Sequence, residues 1–258
     1  MILIAIILGT LIAGIGSVWI AAALSFGVLA RYTQHMLSLA AGALLATAFM
    51  HLLPEAFESQ ASAHDMFAAL LAGLVFFFLL DKAELWHHGH EHGAAHDHSH
   101  KHSHEGQSKS GGWAVLAGDS VHCFGDGILI ASAFMADMRL GIVASLAVLA
   151  HEVPHHMGDL VVLRQSTGNQ RAAIVKVSMA GAVTALGGVL GYVLVEQLYV
   201  YLPFFLILAS SSFMYVALAD LIPQLQKRVS PRETAAQIAW LLAGIALVTL
   251  ISGLAHSH

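Results

Sequence analysis

Residues 151–159 read HEVPHHMGD, and the reading of this stretch decides the fold. It contains H-E-x-x-H, the spacing that on an unbroken helix aims two imidazoles at one zinc ion with the Glu as general base. Yet it lies inside a mostly apolar run over about 140–163, long enough to cross a bilayer. Two readings follow from the residues: a hydrolytic zinc site inside a membrane, or a place where a metal ion halts while crossing.

Composition supplies the setting. Of 258 residues, 57% are hydrophobic and 10% charged, and the mean hydropathy is +0.74. Soluble domains carry about a quarter charged residues, so this is a membrane protein with the lipid bilayer as a partner. Runs long enough for spans of roughly 20 residues fall near 2–27, 35–57, 66–86, 113–136, 140–163, 172–195, 200–225 and 235–255. The expected fold is all-α: a polytopic membrane protein of eight transmembrane helices, one domain over residues 1–258, with helices 4 and 5 central. The third run is short of apolar length and ends somewhere in Asp81–Trp86. Met1–Ala30 holds no Lys or Arg; a cleaved leader would open with a basic segment, so this run is read as a retained first helix. Cys123 is the only cysteine, which excludes an intrachain disulfide. The net charge of −5 gives no footing for nucleic acid.

The basic residues set an orientation. Connections 1–2, 3–4, 5–6 and 7–8 carry Arg31; Lys82, Lys101 and Lys109; Arg164, Arg171 and Lys176; and Lys227, Arg228 and Arg232. The opposite side carries Arg139 alone, so ten of the eleven basic residues share one side, which the positive-inside rule makes cytoplasmic. Both termini are then expected outside, in an integral protein of a plasma membrane or bacterial inner membrane. HLLPEAF (51–57) in helix 2 has an echo in DLIPQL (220–225) in helix 7, each with a polar residue three positions before a proline. Helices 1–3 and 6–8 are therefore candidates for an inverted repeat.

From His87 to Gly112 the chain reads HHGHEHGAAHDHSHKHSHEGQSKSGG, with nine of the eighteen histidines between His87 and His104. This stretch is too polar and Gly/Ser-rich to build a core, so a disordered cytoplasmic loop is expected. Its neutral imidazoles suit zinc-like ions held in several weak, exchanging arrangements.

The ionisable residues inside the spans carry the chemistry. An acidic residue at the bilayer centre costs roughly 2.5–3.5 kcal/mol on insertion scales, so it needs a partner or a water-filled path. Helix 4 carries GDSVHCFGDG (118–127), placing Asp119, His122 and Asp126 at i, i+3 and i+7 on one face. Helix 5 carries His151, His155 and Asp159 as an i, i+4, i+8 stripe with Glu152 and His156 beside it. So many ionisable groups on neighbouring helices exceed what core packing explains. Imidazole with carboxylate suits zinc and its first-row neighbours, whereas calcium prefers all-oxygen shells. Pro154 has no N–H, so the Ala150 carbonyl loses its helical partner and a kink is expected beside the histidines. A proline is awkward inside a protease's H-E-x-x-H helix and natural in a broken helix lining a transport path.

On these residues the chain resembles the ZIP (Zrt/Irt-like) zinc and iron transporter family. HEVPHHMGD is similar to the HExPHExGD signature of its histidine-rich subgroup, and GDSVHCFGDG to its fourth-helix pattern GDxxHNFxDG. HLLPEAF and FMYVALADLIPQL (213–225) look like its second- and seventh-helix segments. The resemblance implies a two-metal site between helices 4 and 5. One site would use His122, Asp126, His151 and His155; the other Cys123 and Glu152, sharing Asp126 and His155. It also implies alternating access by one helix group moving against another. Two positions depart from the pattern: Cys123 stands where Asn is usual, and His156 where the subgroup has Glu.

The expected function is transport of divalent transition metal toward the cytoplasm, with Zn²⁺ first and Cd²⁺, Fe²⁺ and Mn²⁺ as further candidates. No cofactor and no enzyme activity are expected, and assembly as a homodimer is left open. His51, Glu55, Asp119, His156, Asp159 and Asp220 are candidates for the path or for the surroundings of the ligands. The alternatives are an intramembrane zinc protease, with His151 and His155 as ligands and Glu152 as base, and a metal sensor that does not transport.

Overall fold

The computed structural model of the chain describes residues 1–25, 33–59, 61–89, 108–225 and 230–256. All regular structure among them is helical, because a chain in lipid must satisfy its own backbone groups, and a helix does so within one segment. Eight helical rods result. α1 covers residues 2–25, α2 33–57, α3 Ala63–Gly89, α4 Ser108–Ala136, α5 Met138–Thr167, α6 Gln170–Gln197, α7 202–225 and α8 Pro231–His256. A 3₁₀ turn at Tyr199–Tyr201 leads into α7. Six of these rods, α1–α3 and α6–α8, are long and apolar enough to cross a membrane. α4 and α5, with 29 and 30 residues, equal them in length and carry the polar side chains instead.

The ends of the helices are written locally. Asp137 is the single residue between α4 and α5; its side chain accepts from the N–H groups of Arg139 at 2.8 Å and Leu140 at 3.2 Å, an N-cap. α5 stops at Gly168, which takes the left-handed conformation at φ 66°, open to glycine without a Cβ penalty. Asn169 then caps α6. Ser230 and Glu233 exchange hydrogen bonds ahead of α8, a capping box.

Pro154 sits inside α5 without breaking it; helix runs on both sides. One missing N–H removes one rung of the helix, and the rungs around it hold. Pro54 and Pro223, inside α2 and α7, behave differently. The N–H of Leu53, before Pro54, reaches back to the Ala48 carbonyl, and that of Ile222, before Pro223, to Ala217. Each is an i−5 bond closing a π-helical turn, at Ala48–Leu52 and Val216–Leu221. The sequence echo between HLLPEAF and DLIPQL is thus matched in the backbone. A third π turn, Ile12–Gly16 in α1, has no such sequence mark.

Packing sorts the rods into two sets, α1, α4, α5 and α6 against α2, α3, α7 and α8. A Cβ on Gly127 would strike the Thr184 carbonyl oxygen, and one on Gly187 that of Phe124, so α4 and α6 touch backbone to backbone. Gly14 and Gly181 do the same for α1 and α6, and Gly42 and Gly244 each meet a carbonyl across α2 and α8. Small residues that admit such approach are the usual cement of helices in lipid. Among the described residues, every glycine approach between helices falls within one set or the other. The sets meet chiefly where α5 lies on α2 and α4 lies on α7. Outward faces carry Val75, Leu79, Leu186, Leu190 and Leu242, all exposed, as a lipid-facing surface requires.

Candidate metal site

The one-residue turn at Asp137 sets the level of the site. His122 lies fifteen residues before it and His151 fourteen after, so at about 1.5 Å per residue both stand roughly 21–22 Å from the turn. The two helices therefore bring their polar faces together in register, and three linked clusters result.

The first holds His122, Asp126, His151 and Glu152. The two Nε2 atoms are 3.4 Å apart. His151 Nε2 lies 3.2 Å from Asp126 Oδ2 and 3.3 Å from Glu152 Oε1, and His122 Nε2 lies 3.2 Å from the same Glu152 oxygen. His151 Nδ1 faces the Ala147 carbonyl at 3.3 Å, which directs Nε2 inward. Phe213 of α7 packs against the His151 ring with centroids 6.5 Å apart.

The second holds Asp119, Cys123, Glu152 and His156, all buried. His156 Nε2 lies 3.0 Å from Glu152 Oε2 and 3.5 Å from Asp119 Oδ1. Cys123 Sγ lies 3.6 Å from Asp119 Oδ1 and 3.8 Å from Glu152 Oε2. The third holds Asp119, His155 and Asp159, with His155 Nδ1 3.2 Å from Asp159 and 3.6 Å from Asp119.

Glu152 joins the first cluster to the second, one carboxylate oxygen to each, and Asp119 joins the second to the third. Asp119 Oδ2, Asp126 Oδ2, Glu152 Oε1 and Asp159 Oδ2 are buried without a hydrogen bond of proper geometry. Such acceptors are costly to leave unpaired, and those of Asp126, Glu152 and Asp159 each face an imidazole nitrogen of a cluster. The donor set, imidazole with carboxylate and one thiol, suits zinc and its neighbours.

The grouping differs from the split that the resemblance implies. His155 stacks on the His122 ring, centroids 5.4 Å apart and planes 27° apart, but its Nδ1 faces Asp119 and Asp159. Glu152, not His155, completes the first cluster, and Asp119 and His156 stand where Asp126 and His155 were expected around Cys123. His51 and Glu55 lie apart, lining a polar cavity of about 450 Å³ with Glu58, Asp137 and Arg139. Asp220 falls in the π turn of α7, its side chain outside those described, and 90–107 of the histidine-rich stretch lie outside the described residues. Sequence reading missed Ser17 of α1, whose Oγ lies 3.0 Å from His156 Nδ1. A lone serine in an apolar run was its only signal.

A helical membrane protein whose two most polar helices face each other across buried imidazoles and carboxylates belongs to the class of metal-ion carriers. The chain matches the family model described as ZIP Zinc transporter over residues 1–111 and 84–252, and it belongs to that family. It is 28% identical to zinc transporter ZIP13 of Pongo abelii, over 95% of this chain and 77% of that protein. It is 27% identical to the ZIP13 of Mus musculus, over 85% and 70%. Zinc transporter SLC39A7 of Homo sapiens matches at 33% over 55% of this chain and 32% of its own length. The family makes the chain a transporter and not an enzyme.

Proposed function

We infer that this chain is a single membrane domain over residues 1–258 that carries divalent transition metal, Zn²⁺ foremost, toward the cytoplasm along the facing sides of α4 and α5. The observation that carries the reading is the first cluster: two imidazole nitrogens and two carboxylate oxygens of His122, Asp126, His151 and Glu152 converge within 4.8 Å of one another. Four such donors replace the hydration shell of a zinc-like ion.

Carboxylates shared between successive clusters let an ion pass without being freed, since a bridging residue holds it at both stations. The positive-inside orientation puts the Asp137 turn outside, so the order from the first cluster to the third runs inward. The polar cavity at His51 and Glu55 lies near the outer turn and suits capture. The two helix sets, each knit by glycine contacts, suit movement of one against the other. The histidine-rich stretch, on the cytoplasmic side, suits loose holding of arriving metal.

Zinc uptake into proteoliposomes made from the pure protein tests the reading. Saturable uptake that is lost on altering the first cluster is expected. Absence of uptake in folded, oriented protein would overturn it in favour of a sensor.

A further inference from the structure

Behind the helix that carries His151 and Glu152 lies an apolar recess. A cavity of about 740 Å³ runs between α1 and α5 on one side and α2 and α8 on the other, across the seam of the two helix sets. Ala43, Ala147 and Val248 on its floor are buried, while Ile20, Leu146 and Leu247 on its walls are exposed. The recess therefore opens sideways, at the depth of the membrane. We propose that it is a lipid site, taking one acyl chain of a phospholipid from the leaflet on the side of the 1–2 and 7–8 connections.

Length and level fit that leaflet. His35 to Ala43 on α2 and Trp240 to Val248 on α8 each advance eight residues, about 12 Å of helix. One leaflet is half of a hydrocarbon layer roughly 30 Å thick. On α5 the lining runs from Leu146 to Val153, nine to sixteen residues past the Asp137 turn. That is about 14–24 Å along the helix, in the half of the membrane away from the turn.

The two ends of the recess differ as those of a lipid do. α8 begins with PRETAAQ over 231–237, and Gln237 Nε2 lies 3.5 Å from Gln34 Oε1, so polar groups gather at this end. Beside them His35 stacks on Trp240, with centroids 5.8 Å apart and planes 25° apart. Tryptophan favours the boundary between headgroups and hydrocarbon. Past this pair the described lining is Ile, Leu, Val, Met and Ala alone.

Other occupants fit poorly. An ordered water needs about two to four polar partners, and among the described lining residues only His35 and Trp240 carry a side-chain nitrogen. A partner helix needs a longer track, since eight residues make little more than about two turns. Left empty, the walls would lose their dispersion contacts on one side. A hydrocarbon chain is the flexible apolar filler that the bilayer provides. Lodged there, it braces the back of α5, where the carbonyl of floor residue Ala147 faces His151 Nδ1 at 3.3 Å. The site stands independently of what the chain transports.

The test places the full chain in phosphatidylcholine vesicles containing a phosphatidylglycerol with a diazirine on its acyl chain. Lipid that merely surrounds the protein reaches the exposed walls, whereas a lodged chain reaches the buried floor. Irradiation should attach the probe at Ala43, Ala147 or Val248, mapped by peptide mass spectrometry. Leu146→Trp and Leu247→Trp enlarge the walls at exposed positions. Each should lower floor labelling about tenfold, because a close-packed indole leaves a chain no room beside it. Leu186→Trp, on an exposed face of α6, should leave floor labelling unchanged. Label confined to walls and outward faces in the parent would overturn the site without any variant. So would equal floor labelling in the parent and both wall variants. Floor labelling that falls as protein is crowded in the vesicles would assign the recess to a second copy, which overturns it as well.

Discussion

Cys123 Sγ on α4 lies 4.0 Å from His156 Nε2 on α5. Two residues 33 positions apart in the chain, each unlike its counterpart in the family pattern, thus face one another. A thiol in place of an amide and an imidazole in place of a carboxylate alter the same cluster, trading oxygen for sulfur and nitrogen. Their shared neighbour Glu152 carries that change to the first cluster through its second oxygen.

The first cluster is the best-founded target for mutation. Replacing His122, Asp126 or His151 with Ala is expected to lower zinc uptake about 100-fold or more, since even the loss of a ligand's support costs about 10–100-fold in affinity. The detergent elution profile should stay that of the parent. Near-parental uptake in two of the three would refute the cluster as the transport station.

Ser17 reaches the clusters through His156, whose Nδ1 lies 3.0 Å from its Oγ. Ser17→Ala should weaken the zinc-binding titration of the full chain by about tenfold, because His156 Nδ1 loses its hydrogen-bond partner and the ring is freed to turn. Ser17→Thr keeps a hydroxyl and should restore the midpoint. Equal midpoints in parent, Ala and Thr variants would mean that the contact is packing only.

Two glycines on the same helix should behave in opposite ways. A Cβ on Gly127 would meet the backbone of α6, while one on Gly125 meets nothing within 4 Å. Gly127→Ala is expected to cost about 1–3 kcal/mol, as overpacking does. Gly125→Ala should be neutral or stabilise by up to about 1 kcal/mol, the helix-propensity gain. Thermal unfolding in detergent reads both, and equal midpoints would show that α4 and α6 do not touch as closely as described.

Removal of His87–His104 should leave the rate of zinc uptake within about twofold of the parent while changing its response to zinc on the cytoplasmic side. Loosely held ions on exchanging imidazoles have modest individual affinity. Loss of uptake in a folded deletion variant would make the stretch part of the path.

The sequence by itself determined that the chain is helical and membrane-bound, because composition and run length follow from the solvent a segment must meet. It also singled out α4 and α5, since ionisable residues in apolar runs demand partners. The partner assignments belonged to the tertiary structure. Residues three apart on a helix point about 60° apart, so the tilt and rotation of α5 against α4 decide whether Glu152 or His155 turns its ligand atom into the first cluster. That rotation depends on contacts far away in sequence: Gly14 with Gly181, Gly127 with Thr184, Ser17 with His156. The π turns of α2 and α7 stayed hidden for a like reason. A proline marks where a helical bond is missing, but the packing around it selects between the wide turns before Pro54 and Pro223 and the helix that runs through Pro154.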